Sequence, residues 1–276
     1  MECINFDKQF EQYLADWVKK NSAKYKNNMD VIEGMMPDVY MEFLSKPARW
    51  LGGVAPQDYF GQFSDAGALI ELLCDYTQKK VPVPDLLLER IVELGEAAEK
   101  QLIKLIFRED PVAEELEMTA ISLLREMEST APMQIYIDFI SSLLAPDEKG
   151  DLCAESLLSM GEAAVAPILR ALPEASDVGR DIFADILSNY PGDERIFELL
   201  MERFASAVDK RALFASYLAK LGDDRALPAL EKAAQDRDVN YLDYVEIVNA
   251  IEVLGGERPP EREFAGDPYY ESLRRM

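Results

Sequence analysis

The sequence contains no histidine, and this absence removes several kinds of active site from consideration. Without an imidazole there is no Ser-His-Asp or Cys-His pair, no general base titrating near neutral pH, and no His-containing zinc or iron site. Phosphate-cradling loops are missing too, since neither G-x-G-x-x-G nor a Walker pattern occurs. We therefore expect neither catalysis nor a cofactor, and no metal site.

Positive charge is scarce. The 276 residues include 52 Asp and Glu but only 29 Lys and Arg, which gives a formal net charge of -23. Binding to a phosphate backbone depends mainly on Lys and Arg releasing counterions, and a strong negative field opposes it. Nucleic acid is therefore not an expected partner, whereas a basic protein or peptide suits the charge.

Cysteine and long apolar runs are also rare. Cys3, Cys74 and Cys153 are far apart and odd in number, so they form neither a disulfide framework nor a C-x-x-C pair. No stretch approaches 18 uninterrupted apolar residues, and the N-terminus lacks the features of a secretory signal. These observations predict reduced thiols, no membrane span and a cytoplasmic location.

A repeat is the main positive signal. An apolar helix end, a glycine and a short acidic or small-residue step recur before each new apolar helix. The anchors are Gly61, Gly95, the degenerate Glu128, Gly161, Gly192, Gly222 and Gly255. Their spacing of 30 to 34 residues leaves room for two helices and two turns in each unit. The sequence therefore predicts a series of helical hairpins.

Apolar spacing within a unit supports the hairpins. After Gly161, an i, i+3, i+4, i+7 pattern appears twice, as Val165, Ile168, Leu169 and Leu172 and then as Phe183, Ile186, Leu187 and Tyr190. Acidic residues at the turns predict helix caps. Asp110 precedes Pro111 as an N-cap would, and Asp177 and Asp238 are candidates for the helices that follow them.

Two of the units resemble a known repeat. Residues 161–172 and 222–233 are similar to HEAT repeats of the short bacterial type, also called phycobilisome-lyase-like HEAT repeats, and Pro167 and Pro228 fall six residues after their glycines. The resemblance covers about 61–256 and implies an all-α fold, a right-handed α-α superhelix of about six helical hairpins. Since proline suits only a first helical turn, we predict helix starts near Ala166 and Leu227, or else a kink in the first helix at the proline.

The ends of such an array need atypical units that cover its apolar faces. We therefore predict an N-terminal helical cap over 1–60, the HEAT-like array over 61–256 and a C-terminal tail over 257–276. One apolar stripe of the cap consists of Phe6, Phe10, Tyr13, Leu14, Trp17 and Val18. Trp50 is expected to pack against the first repeat or to anchor a partner, and the tail to fold back or to be partly disordered.

Candidate binding residues lie in the array, which holds 38 acidic and 18 basic residues. The HEAT resemblance implies that the second helix of each hairpin lines the concave face. On those helices Asp177, Asp181 and Asp185 are spaced i, i+4, i+8, and Asp243, Glu246 and Asn249 share one face. Tyr217 and Tyr241 are the aromatic candidates, and burial in the core is the alternative for each. Together they predict an acidic binding strip with aromatic anchors.

The carboxylates have a second interpretation, a solvated acidic face that only keeps the helices soluble. Acids in a first turn favour the helix dipole, which accounts for Asp177 without a ligand. Asp181 and Asp185 lie beyond that turn, and like charges at i, i+4 cost a few tenths of a kcal/mol. That unexplained cost motivates the binding hypothesis.

Three classes of function follow. The first is a non-catalytic protein-protein interaction scaffold whose acidic concave face binds a basic protein or peptide. The second, implied only by the HEAT resemblance, is a lyase or chaperone-type factor acting on a bound chromophore or protein substrate. The third, a HEAT-like DNA glycosylase, needs a basic groove and conflicts with the charge. The sequence favours the scaffold and leaves the oligomeric state open.

Overall fold

The computed structural model describes residues 1–22, 24, 29–106 and 114–274. Within these ranges the regular structure is helical, apart from an isolated bridge between Ala48 and Val54. The chain divides into two compact units, residues 1–129 and 130–276. The prediction of an all-α protein is confirmed. The boundary between the units falls beside the anchor Glu128, while the division into cap, array and tail stays a prediction.

Two structural findings relate to the predictions made from the few cysteines and the short apolar runs. Of the helices in the described part of the chain, none is both long and apolar enough to cross a membrane. The side chain of Cys153 is buried, whereas Cys3 and Cys74 are partly exposed.

The first unit consists of the predicted cap and the first hairpins. Its α-helices are α1 (Phe6–Asn21), α2 (Met29–Gly34), α3 (Met36–Ser45), α4 (Pro56–Tyr59), α5 (Ala66–Lys79), α6 (Asp85–Glu93), α7 (Glu96–Ile103) and α8 (Glu114–Glu126). Helix α5 packs on α6 and α7, and both of these pack on α8. The predicted cap at Asp110 and Pro111 lies outside the described residues.

Aromatic rings hold the N-terminal cap together. Phe6 is buried, with its ring centroid 5.1 Å from Trp50 in an edge contact and 5.6 Å from Phe60 in a stacked one. Phe43 of α3 is also buried and packs 5.3 Å from Phe10. Trp50 is half-buried, and its ring contacts Phe6 and Phe43 of the cap.

Tyr76 ties the start of the chain to helix α5. Its side chain is buried, and its hydroxyl accepts a hydrogen bond from the Ile4 amide at 2.9 Å and donates one to the Ile4 carbonyl at 2.8 Å. Burial raises the pKa of Tyr76 to about 12. The phenol therefore stays protonated at neutral pH and can make both bonds.

The second unit is a succession of helix pairs. It contains α9 (Met133–Ser142), α10 (Glu148–Ser159), α11 (Glu162–Ala171), α12 (Asp177–Leu187), α13 (Glu194–Ser206), α14 (Arg211–Leu221), α15 (Leu227–Gln235), α16 (Tyr241–Val253) and α17 (Pro268–Leu273). We call α10, α12, α14 and α16 the second helices, because each closes a pair. Helix α10 contacts α12, and α14 contacts α16. Helix α12 also packs closely on α9, since a Cβ at Gly179 would lie 2.6 Å from the carbonyl oxygen of Ile140.

All the anchors except Gly61 have a positive φ. Gly222 ends α14 with φ 76°, a left-handed conformation that costs glycine little. Glu128, the degenerate anchor, also has a positive φ of 53°. The sequence interval placed Glu128 correctly although it is not glycine. Gly61 differs, because it lies in a 3-10 turn and its φ is not positive.

Of the two predicted helix starts, one is confirmed and the other is wrong. Helix α15 begins at Leu227 as predicted, with Pro228 in its first turn. Helix α11 begins at Glu162 rather than near Ala166, so Pro167 lies inside it, where proline removes one backbone donor.

Two predicted caps are wrong. The Ser176 hydroxyl, and not Asp177, caps α12 by accepting a hydrogen bond from the Gly179 amide at 3.0 Å. Asn240 rather than Asp238 caps α16. Both aspartates lie one or two residues from the residue that caps, within the usual uncertainty of helix boundaries.

The C-terminal tail folds back onto the last pair, which was one of the two alternatives. The guanidinium of Arg262 lies 4.9 Å from the ring of Tyr244 and 4.4 Å from that of Phe264. It donates hydrogen bonds to the carbonyls of Asp236 at 2.7 Å and Val239 at 3.1 Å. The tail thereby covers the aromatic side of α16.

Replacing the left-handed anchor by glycine should stabilise the first unit. Glu128→Gly removes the strain of a positive φ, and we expect the free energy of unfolding to rise by about 0.5–1 kcal/mol. Glu71→Gly, an exposed position within α5, should lower it by about 1 kcal/mol. Urea denaturation followed by circular dichroism measures both. A loss of stability in Glu128→Gly would contradict the assigned conformation.

Two buried tyrosines should respond oppositely to loss of the hydroxyl. Tyr76→Phe removes two hydrogen bonds, and we expect it to destabilise by about 1–2 kcal/mol. The hydroxyl of Tyr136 in α9 is buried with no hydrogen-bond partner among the described residues, so Tyr136→Phe should be neutral or stabilising by up to about 1 kcal/mol. Equal losses in denaturant titrations would show that Tyr136 has a partner.

Candidate functional site

A groove of about 630 Å³ crosses α10, α12 and α14 in the second unit. Its apolar lining consists of Ala154, Leu158, Val178, Ile182, Leu213 and Tyr217, among others. Leu158 and Leu213 are 42% and 41% exposed, which is high for side chains of this type. Charged side chains at the groove are Asp151, Glu155, Asp181, Asp185, Lys210 and Lys220. The groove thus combines an apolar surface with charges of both signs.

Asp181 is the most enclosed carboxylate of the predicted strip. Its side chain is 11% exposed, with Oδ2 2.6 Å from Nζ of Lys210 and Oδ1 2.5 Å from Nη2 of Arg203. The contact with Arg203 is an ion pair whose angles fall outside those of a hydrogen bond, and Nε of Arg203 is buried with no acceptor among the described residues. Burial strengthens such a pair and raises the cost of breaking it.

The other two aspartates of α12 are also paired, but near the surface. Asp177 is 84% exposed and accepts a hydrogen bond from Nη1 of Arg203 at 3.1 Å. Asp185 accepts one from Nζ of Lys220 at 3.3 Å. The repulsion between carboxylates at i, i+4, which motivated the binding hypothesis, is therefore offset within the chain by cations from α13, α14 and the turn between them.

Tyr217 is the predicted aromatic residue that does line the groove. Its ring makes an edge contact with Phe214 at 5.7 Å. Burial, and then the negative charges of Asp185 and Asp181, raise the pKa of Tyr217 well above its usual range. Its hydroxyl is thus a neutral group at the groove, suited to donating a hydrogen bond.

Tyr241 belongs to the tail cluster. Its ring lies 5.3 Å from Phe264, 6.2 Å from Tyr269 and 5.1 Å from Tyr270, all in the tail. Its amide donates a hydrogen bond to Asp267 at 3.0 Å. Because these contacts account for Tyr241 within the fold, its prediction as a partner anchor gains no support from the geometry.

The three polar candidates on α16 have different surroundings. Asp243 pairs with the cap residue Asn240, whose side chain accepts from the Asp243 amide at 2.9 Å and donates to its carboxylate at 2.8 Å. Glu246 and Asn249 are exposed, and neither side chain makes a hydrogen bond or ion pair with another described residue. Neither lines the groove.

The structure therefore brings together Asp181, Asp185 and Tyr217 in the groove, and Arg203 joins Asp177 to Asp181. The cations Arg203, Lys210 and Lys220 were not predicted, because partners on other helices carry no local signal in the sequence. The wall formed by α10 was not predicted either. There the signal was present, since Asp151, Glu155 and Leu158 follow i, i+4, i+7, but they lie in the unit that opens with the degenerate anchor.

Comparisons of the chain with protein-family models, with curated proteins and with solved structures gave no match. A search of the described residues for three or more acidic or cysteine side chains arranged to hold a metal ion also found none. A functional proposal for this chain therefore rests on the chemistry of the groove.

The buried and the exposed ion pairs should differ in their contribution to stability. Arg203→Met leaves Asp181 with Lys210 alone, and we expect a loss of about 2 kcal/mol in the free energy of unfolding. Lys220→Met removes an exposed pair and should cost at most about 0.5 kcal/mol. Urea denaturation compares the two variants, and equal losses would show that burial of Asp181 contributes nothing.

Proposed function

We propose that the protein is a non-catalytic interaction scaffold that binds a basic protein or peptide in the groove across α10, α12 and α14. The observation that carries this proposal is the exposure of Leu158 and Leu213 inside a groove that also presents carboxylates. Exposed apolar side chains grouped in a concave surface with a polar rim are typical of protein-binding sites.

The charge of the chain supports a basic partner. A net charge of -23 attracts cationic surfaces at long range and accelerates encounter with them. The lysines of the groove do not reverse this preference, because Lys210 and Lys220 are already paired with Asp181 and Asp185. We place this scaffold in the cytoplasm, since three distant cysteines suit a reducing compartment.

The proposal includes a family assignment, in which the hairpins are HEAT-like repeats stacked as a right-handed superhelix. Three observations support it. Anchors recur every 30 to 34 residues, glycines 95, 161, 192, 222 and 255 have a positive φ together with Glu128, and the second helices α10 and α12, and α14 and α16, are neighbours.

Filling the groove should abolish partner binding. Ala154→Trp places a large side chain in the lining without changing the charge, and Ala205→Trp on the exposed face of α13 is the matched control. We expect immobilised wild type and Ala205→Trp to retain the same basic proteins from an extract of the source cells. Ala154→Trp should lose at least about 90% of them, since about tenfold weaker binding needs only about 1.4 kcal/mol.

Salt provides a second arm of this experiment. Raising the ionic strength from about 50 to about 300 mM shortens the screening length and should release the basic proteins from the wild type. Retention of the same proteins by Ala154→Trp, or an absence of basic proteins among those retained by the wild type, would contradict the proposal.

A further inference from the structure

We infer that the groove takes a single amphipathic α-helix, with basic side chains along the flank that faces α10. This inference rests on the proposed scaffold function and adds the secondary structure and orientation of the partner. It is carried by the arrangement of the lining residues on three neighbouring helices.

Each of the three helices presents an apolar pair one turn apart. The pairs are Ala154 and Leu158 on α10, Val178 and Ile182 on α12, and Leu213 and Tyr217 on α14. Residues spaced i, i+4 form the ridges that pack between the ridges of another helix. The groove therefore has the surface pattern that an apolar helix face would match, over about two turns.

The charges make the groove asymmetric. On the α14 side, Lys210 and Lys220 are paired with Asp181 and Asp185 of α12. On the α10 side, the carboxylate of Asp151 makes no hydrogen bond or ion pair with any other described residue. Glu155 lines the same wall one turn further along, although it already has an interaction within the chain, so Asp151 is the carboxylate that carries the asymmetry.

This asymmetry favours a bound helix with positive charge on the side that faces α10. Lys or Arg side chains spaced three or four residues apart on a bound helix would meet Asp151 and Glu155, as flanking charges do between paired helices. An acidic flank at the same wall would be repelled. The occupant is therefore apolar along one face and basic along the adjoining flank.

Two other occupants fit the groove less well. An extended peptide binds by adding a strand to a sheet edge, and the described residues contain no strand that offers one. A second copy of this chain would bring another charge of -23 to an acidic surface, which opposes association at moderate ionic strength. A basic helix from a different protein meets neither obstacle.

Three designed peptides of 18 residues test the inference by fluorescence anisotropy at about 50 mM salt. The first contains only Leu and Lys, with Leu at i, i+3, i+4 and i+7 spacing. The second has the same composition but alternates the two residues, and the third carries Glu in place of Lys. We expect the first to bind at least about tenfold more tightly than either of the others.

Paired charge reversals test the orientation. In the double variant Asp151→Lys with Glu155→Lys, affinity for the Leu-Lys helix should fall about tenfold at about 50 mM salt and less than about threefold at about 500 mM. The matched control, Glu198→Lys with Glu202→Lys, changes two exposed acids at the same spacing on α13, outside the groove lining. It should change affinity less than about twofold, and circular dichroism checks that both variants keep their helical content.

A further pair of variants tests the apolar lining of the groove. Leu213→Asp should weaken binding at least about tenfold, while Val253→Asp, at an exposed apolar position outside the groove lining, should not. Equal binding of the helical and the alternating peptide, equal effects of the two double variants, or no binding of the helical peptide would overturn the inference. The scaffold proposal is tested separately by Ala154→Trp and the cell extract, so a failure of the helix inference leaves the scaffold proposal standing and the two failures can be told apart.

Discussion

A helical hairpin cannot bury its own apolar stripe, and the second unit is organised around that constraint. Each second helix buries its apolar side chains by packing on a neighbouring pair, as α12 packs on α9 and α10. The approach is close enough that Gly179 has no room for a Cβ against the carbonyl of Ile140. Leu158 and Leu213 are apolar side chains that no neighbouring helix covers fully, and the proposed partner would bind there.

The parts of the fold that follow from local chemistry could be predicted. The anchor interval identified Glu128 as a helix end without a glycine, and the position of Pro228 identified Leu227 as the start of α15. The predictions of a cap and of a helix start failed. In the first case a neighbouring residue fills the same role, and in the second the helix accepts a proline in its interior. Ser176 caps α12 in place of Asp177, and Pro167 is tolerated inside α11.

The candidate site was less predictable because its chemistry depends on contacts between helices. The spacing of Asp181 and Asp185 was visible in the sequence, but Arg203, Lys210 and Lys220 approach them from other elements. Because these aspartates are already paired with cations of the same chain, the negative charge of the groove that is unpaired within the described part of the chain lies on α10, at Asp151. The net charge of the chain thus indicates the sign of charge on the proposed partner, but not where that partner would bind.

The contacts of Arg262 determine which groups of the last helix pair stay open to another molecule. The last pair of a helical array ends in a face that another hairpin could cover, and contacts of this head-to-tail kind generate open filaments when they do not close. Arg262 occupies the carbonyls of Asp236 and Val239, while Phe264 covers Tyr241 and Tyr244. The tail therefore covers polar and aromatic groups of the last pair that a neighbouring hairpin would otherwise contact.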